Sequence, residues 1–126
     1  RQAEQNNLTN IYVGVGDVTE LLTLLQADSC DHIRLFFPDP WPKKRHNKRR
    51  LMTKESLTLM ARVLKKGGQL HIATDNGHYA EQCQILIEEN LQMSLSKNIP
   101  FRPETKFAKK AKQAGQIISD ILAVRL

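Results

Sequence analysis

Cysteine occurs twice in these 126 residues, as Cys30 and Cys83. The two are far apart, in apolar surroundings, and match no metal-ligand spacing. That excludes a disulfide framework and a zinc site and leaves two reduced core thiols. His46 has no Cys or His partner at ligand spacing either, so no metal is expected. No apolar run approaches the ~20 residues of a membrane span, and no stretch reads as a secretory leader. A cytoplasmic protein with no membrane partner is the expectation. There is no internal repeat and no low-complexity linker. One segment lacks acids altogether: residues 43–50, KKRHNKRR, hold six of the 19 Lys and Arg. Without them the remaining 13 basic residues equal the 13 Asp and Glu, so the whole net charge of +6 lies in that octapeptide. Charge so concentrated points to a polyanionic partner.

Apolar periods alternate along the chain, whose length fits one domain over 1–126. Ile11–Val15 reads as a short buried strand. Asp17-Val18-Thr19-Glu20 fits a helix start, with Leu21, Leu22 and Leu25 on the inner face. Ile33–Phe37 is a second strand. Leu57, Met60, Ala61 and Leu64 predict an amphipathic helix over Lys54–Lys66, ended by Gly67-Gly68. Gln69–Ala73 is a third strand. Asp75 is placed to cap a further helix with Ala80, Cys83, Ile87 and Leu91 inward. Ile99–Pro103 is a loop, and Gln116–Leu126 a last strand. The alternation predicts an α/β fold with a mainly parallel sheet.

Ligands of such sheets bind at the carboxyl ends of the strands. Asp17, Asp39 and Asp75 each lie just past a strand end. Asp17 and Asp75 could equally be helix caps. Asp39 is different. Pro38 and Pro40 fix φ on both sides and remove two backbone donors, which stiffens the loop and suits a functional carboxylate.

The stretch FFPDPWPKKRHNKRR, residues 36–50, resembles the signature of the bacterial tRNA (guanine-N7)-methyltransferases: Pro-Asp-Pro-Trp, then Arg-His-Asn-Lys-Arg-Arg. HIATDNGHYA (71–80) resembles the family's Ala-Thr-Asp segment, and RPETKFAKKA (102–111) its Thr-Lys-Phe-Glu segment. The resemblance covers essentially the whole chain. It implies a Rossmann-like methyltransferase fold that uses S-adenosylmethionine to methylate guanine N7 in tRNA, at the variable-loop guanine. Asp39 then corresponds to the active-site carboxylate, also near the cofactor, and Asp17 to a cofactor contact. Lys43, Asp75, Thr105, Lys106, Phe107 and Ala108 match substrate-contacting positions. Arg45, His46, Asn47, Lys48, Arg49 and Arg50 match the RNA-interacting segment. Ala108 departs from the family's usual Glu, so any carboxylate role there is absent or moved.

The family begins with a strand, a Gly-rich loop and a second strand ending in an acid that holds the ribose. Gly14-Val15-Gly16 lacks the helix-opening glycine and is no such fingerprint. The expectation is a methyltransferase fold without its first two strands, a partial domain inactive alone. Two other readings stand: a non-catalytic RNA-binding fragment, and an enzyme methylating exocyclic amines. Guanine N7 is acceptor only, so its methylation asks for positioning and charge stabilisation instead of a base. Asp39 or Asp75 could read the N1–H and N2–H2 edge. Trp41 could stack on a base or lid the loop.

Overall fold

The computed structural model describes residues 18–126. The expected strand Ile11–Val15, and Asp17 as cap or cofactor contact, lie outside the described residues.

Helix α1 spans Val18–Leu24. Leu22 is buried and Leu25, just past the helix, packs half-buried on the core; Leu21, expected beside them, is 46% exposed. Leu22 and Leu25 are three residues apart and share a face, while Leu21 lies about 100° round from Leu22. Strand β1 is Cys30–Phe36. A six-residue 3₁₀ helix, Lys44–Arg49, follows and contains most of the basic run.

Helix α2, Lys54–Val63, opens with a capping box: Thr53 Oγ1 accepts from Ser56 N–H at 3.1 Å, and Ser56 Oγ accepts from Thr53 N–H at 2.8 Å. Leu57, Met60 and Ala61 are buried, as their spacing requires. The helix does not reach Gly67-Gly68. It stops at Val63, and β2 begins at once, running Leu64–Thr74. The glycines serve an irregularity in the strand instead. Between the pairs Cys30↔Leu64 and His32↔Gln69, two steps of β1 face five of β2. Gly67 turns there at φ +81°, and a Cβ on Gly68 would stand 2.8 Å from Lys65 O and 3.2 Å from Asp31 O.

Helix α3, Gly77–Glu89, is capped by Asn76, whose Oδ1 accepts from Tyr79 N–H at 2.8 Å; Asp75 is not the cap. Ala80, Cys83 and Ile87 face inward with Tyr79, whereas Leu91, beyond the helix end, is 95% exposed. Strand β3 (Met93–Ser96) and helix α4 (Lys106–Gln113) were not legible as apolar periods, one being four residues long and the other largely lysine. Strand β4, Ser119–Arg125, fulfils the expected last strand.

The sheet order is β1-β2-β4-β3. Only β1–β2 is parallel; β2–β4 and β3–β4 are antiparallel, so the expectation of a mainly parallel sheet does not hold among the described strands. One sheet face, with Leu70, Ile72, Ile121 and Ala123, joins Leu57, Met60, Tyr79, Cys83 and Ile87 in a single core. The other face carries Phe36, His71 and Asp120. Because β1 and β2 are parallel, both open their carboxyl ends on the same edge, and β4 starts there through the pair Thr74↔Ser119.

Candidate active site and nucleic-acid interface

Phe37 follows β1, its N–H donating to Ala73 O at 2.7 Å across the sheet edge. Its φ is +55°, and that of Trp41 is +42°. Both are bulky and both precede a proline, which favours extended backbone for the preceding residue. Conformations of this kind cost about 1–3 kcal/mol each and persist where the surroundings over-determine them. Between the two lies Asp39, exposed, its Oδ1 accepting from Trp41 N–H at 2.9 Å. One carboxylate oxygen thus closes the turn, and the other has no partner among the described residues.

The determinants of this shape come from three directions. On one side, the Phe107 ring of α4 meets the Phe37 ring at 4.7 Å, and the Arg102 guanidinium lies 5.5 Å from the same ring. On the second, Trp41 is half-buried, its ring edge-on to His46 at 5.8 Å and covered by Arg49 at 5.1 Å. In the orientation its neighbours select, the Asn47 amide donates to Trp41 O at 3.1 Å and Lys43 O at 3.2 Å. On the third side is Arg50. Its Nε donates to Pro40 O at 2.6 Å, Nη1 to Gln82 Oε1, and Nη2 to His78 Nδ1 at 3.0 Å, over the Tyr79 ring.

Arg50 stands apart from the rest of the basic run. With 3% of its surface exposed and each guanidinium nitrogen bonded to a protein acceptor, it is withdrawn from the surface that the rest of the run presents. Lys43, Arg45, Lys48 and Arg49 are exposed; His46 and Asn47 are half-buried and packed within the loop. The six-residue helix spreads its cations over the outer surface of the loop, next to the Asp39 turn.

Asp75 follows β2 by one residue, half-buried. Among the described residues its carboxylate takes no hydrogen bond or ion pair. Thr105 is the N-cap of α4, accepting from Ala108 N–H at 3.1 Å. Ala108 is fully buried at the third helical position, where the family's Glu would complete a reciprocal cap. Lys106 is exposed and Phe107 about half exposed. Asp39, Asp75 and the start of α4 thus gather at one edge of the sheet, and the basic helix borders it.

A network that the sequence pattern did not reveal supports that edge from below. Asp120 of β4 accepts from His71 Nε2 at 2.8 Å and from Arg102 Nε at 2.8 Å and Nη2 at 3.2 Å. Burial pushes the Asp120 carboxyl upward, but the hydrogen bonds from Arg102 and His71 outweigh it and hold it below the usual range. The same pairing raises Arg102. The missed signal was Arg102 itself, a cation in a proline-bounded loop preceding an otherwise polar helix. Away from the edge, burial pushes the Tyr79 phenol and the Cys83 thiol each up to about 12, so Cys83 is an inert core thiol.

The family model described as "Putative methyltransferase" matches residues 1–121. A protein of Rhodococcus jostii named tRNA (guanine-N(7)-)-methyltransferase is 42% identical, with 97% of this chain and 49% of that protein covered. A Streptomyces avermitilis protein of the same name is 43% identical, covering 98% and 46%. A Neisseria gonorrhoeae one is 40% identical, covering 97% and 54%. The chain spans about half the length of the curated relatives it matches. Among solved structures, an S-adenosylmethionine-dependent O-methyltransferase from Thermotoga maritima superposes with a TM-score of 0.52 over 99% of this chain and 43% of that one, at 14% identity, a likeness of fold.

Proposed function

The chain belongs to the putative methyltransferase family, and we propose that it forms the substrate-facing part of an enzyme methylating guanine N7 in tRNA, at the variable-loop guanine, with S-adenosylmethionine as methyl donor. The observation that supports this most is the Asp39 turn: a strained, proline-flanked carboxylate at the carboxyl end of β1, bordered by a helix of exposed cations.

The residues present fit one side of a sulfonium cofactor. A carboxylate with one oxygen fixed and one without a partner among the described residues suits a cationic ligand, and Asp39 would hold that side; Asp17 is the proposed contact on the adenine side. When bound, S-adenosylmethionine supplies an activated methyl group. N7 carries a free lone pair, so the protein need remove no proton there beforehand. The chain's own task is to place the purine and to offset the positive charge that develops on it. Asp39 offsets that charge. Asp75, with both oxygens unshared among the described residues, accepts from guanine N1–H and N2–H2. Lys43, Arg45, Lys48 and Arg49 grip phosphates, which set affinity and register. Trp41, with one face covered by Arg49, can offer the other to a base. On this reading the protein works in the cytoplasm.

The test is methyl transfer from labelled S-adenosylmethionine into tRNA by the natural full-length product of the gene, followed by strand scission specific for N7-methylguanine. Label at that guanine, lost in an Asp39→Ala variant, is the expected result. Label on an exocyclic amine, or tRNA binding with no transfer, would sink the reading.

A further inference from the structure

Arg50 ends the basic run, yet its guanidinium is withdrawn from the surface that the run otherwise presents. We propose that Arg50 is a positioning residue that holds the Pro38–Trp41 turn in its reactive shape, anchored by Gln82 and His78 on α3. The proposal rests on the methyl-transfer reading.

A guanidinium is a planar fork of five N–H donors. Here it serves three acceptors in three directions: Pro40 O on the turn, and Gln82 Oε1 and His78 Nδ1 on the helix. Its Cζ lies 5.3 Å from the centre of the Tyr79 ring. Arginine only donates, so His78 Nδ1 accepts and the imidazole carries its proton on Nε2. His78 and Gln82 are four residues apart, hence neighbours on one face of α3. That helix is seated in the core by Tyr79, Ala80, Cys83 and Ile87, so the anchor is rigid.

What Arg50 grips is the part of the backbone that needs holding. Pro40 lies between Asp39 and Trp41, the second of the two aromatic residues with positive φ before a proline. The only hydrogen bond within the turn is that from Trp41 N–H to Asp39 Oδ1. Asn47 holds Trp41 O on one side and Arg50 holds Pro40 O on the other; releasing Pro40 O leaves the turn tethered on one side only, and the Asp39 carboxylate loses its fixed direction. The contact from Arg50 to Pro40 also closes the chain between them into a ring containing the 3₁₀ helix. Lysine at this position keeps the charge and the stem but offers one donor centre, which cannot serve three separated acceptors.

The experiment compares the wild type with Arg50→Lys and Gln82→Leu in the natural full-length protein labelled with 5-fluorotryptophan. The Trp41 line in the fluorine spectrum is identified by its loss in Trp41→Phe. Both substitutions are expected to displace or broaden the Trp41 line. They should lower kcat by roughly 10- to 100-fold with KM for tRNA held within about twofold. A raised KM at unchanged kcat would show that Arg50 meets RNA, and overturns the proposal. A Trp41 line unmoved in both variants overturns it whatever the activity does. If the wild type itself transfers no methyl group to tRNA, the functional reading fails, and the Trp41 line alone decides the clamp.

Discussion

Two carboxylates at the carboxyl ends of neighbouring parallel strands differ in what they have left to give. Asp39 spends one oxygen on Trp41 N–H; Asp75 spends none among the described residues. This difference is measurable with a tRNA carrying inosine, which lacks the N2 amine, in place of the target guanine. Asp39→Asn should lower kcat for guanine by about 10²–10³, the scale of losing one preorganised electrostatic group, and leave discrimination against inosine intact. Asp75→Asn should erase that discrimination. Reversal of the two patterns would exchange the roles. Asp39 was legible in the sequence because its prolines are local. Arg50 was not, because a charge count cannot tell a solvated cation from one whose partners, Gln82 and His78, lie about 30 residues away. Asp120 was missed for the same reason, its partner His71 being 49 positions distant. Its carboxyl is held below the unfolded value, so its contribution to stability is full above the unfolded pKa of about 3.9 and is lost as pH falls through the lower folded value. Asp120→Asn should cost about 1–3 kcal/mol at neutral pH and remove that part of the acid sensitivity. An equal acid dependence in variant and wild type, followed by urea unfolding, would rule out the linkage.

At the scale of elements, the pairs of strands and helices whose apolar period is long were read correctly: the face of α2 through Leu57, Met60 and Ala61, and that of α3 through Ala80, Cys83 and Ile87. The boundaries failed where a competing device acts. Gly67-Gly68 looked like a helix stop, since glycine is the usual left-handed cap. The chain instead leaves the helix at Val63, and the glycines let β2 pass its irregularity beside Asp31. Gly68→Ala should therefore destabilise by about 1–3 kcal/mol, because backbone oxygens at 2.8 and 3.2 Å cannot yield as side chains do. Gly67→Ala meets open space and strains only its φ, about 1–2 kcal/mol. A Gly68→Ala cost of only a few tenths of a kcal/mol in urea titrations would mean the close approach is absent. The basic 3₁₀ helix has its own test. Removing charge at Arg45, Lys48 and Arg49 should flatten the salt dependence of tRNA binding by about 0.7 per phosphate contact on single-stranded segments. Arg50→Lys should leave that slope unchanged. A slope unaffected by the triple substitution would show that these cations touch no phosphate.

For the whole molecule, the sheet decides what the described residues can do alone. Among them β1 has a neighbour on one side only, and Ile33 and Leu35 are half-buried there, while β2, flanked on both sides, is almost wholly buried beyond Gln69. The antiparallel course of β4 was invisible to a reading by alternation, because a strand that returns antiparallel carries the same residues as one that runs parallel. The parallel half carries the site, and there the deficit falls. A cofactor of nucleoside size is held by a concave site that buries most of its surface, whereas among the described residues Asp39 stands exposed at the carboxyl edge of the sheet. The chain spans about half the length of the relatives that bear the enzyme's name. We therefore expect the 126-residue chain on its own to bind S-adenosylmethionine roughly 100-fold or more weakly than the natural full-length product, a loss of about 2.7 kcal/mol or more, and to transfer no methyl group. Its affinity for tRNA should fall much less, since the cations of the 3₁₀ helix lie within the described residues. Titration calorimetry with the cofactor and filter binding with tRNA separate the two. Cofactor affinity equal in both proteins would mean that these residues hold a complete site.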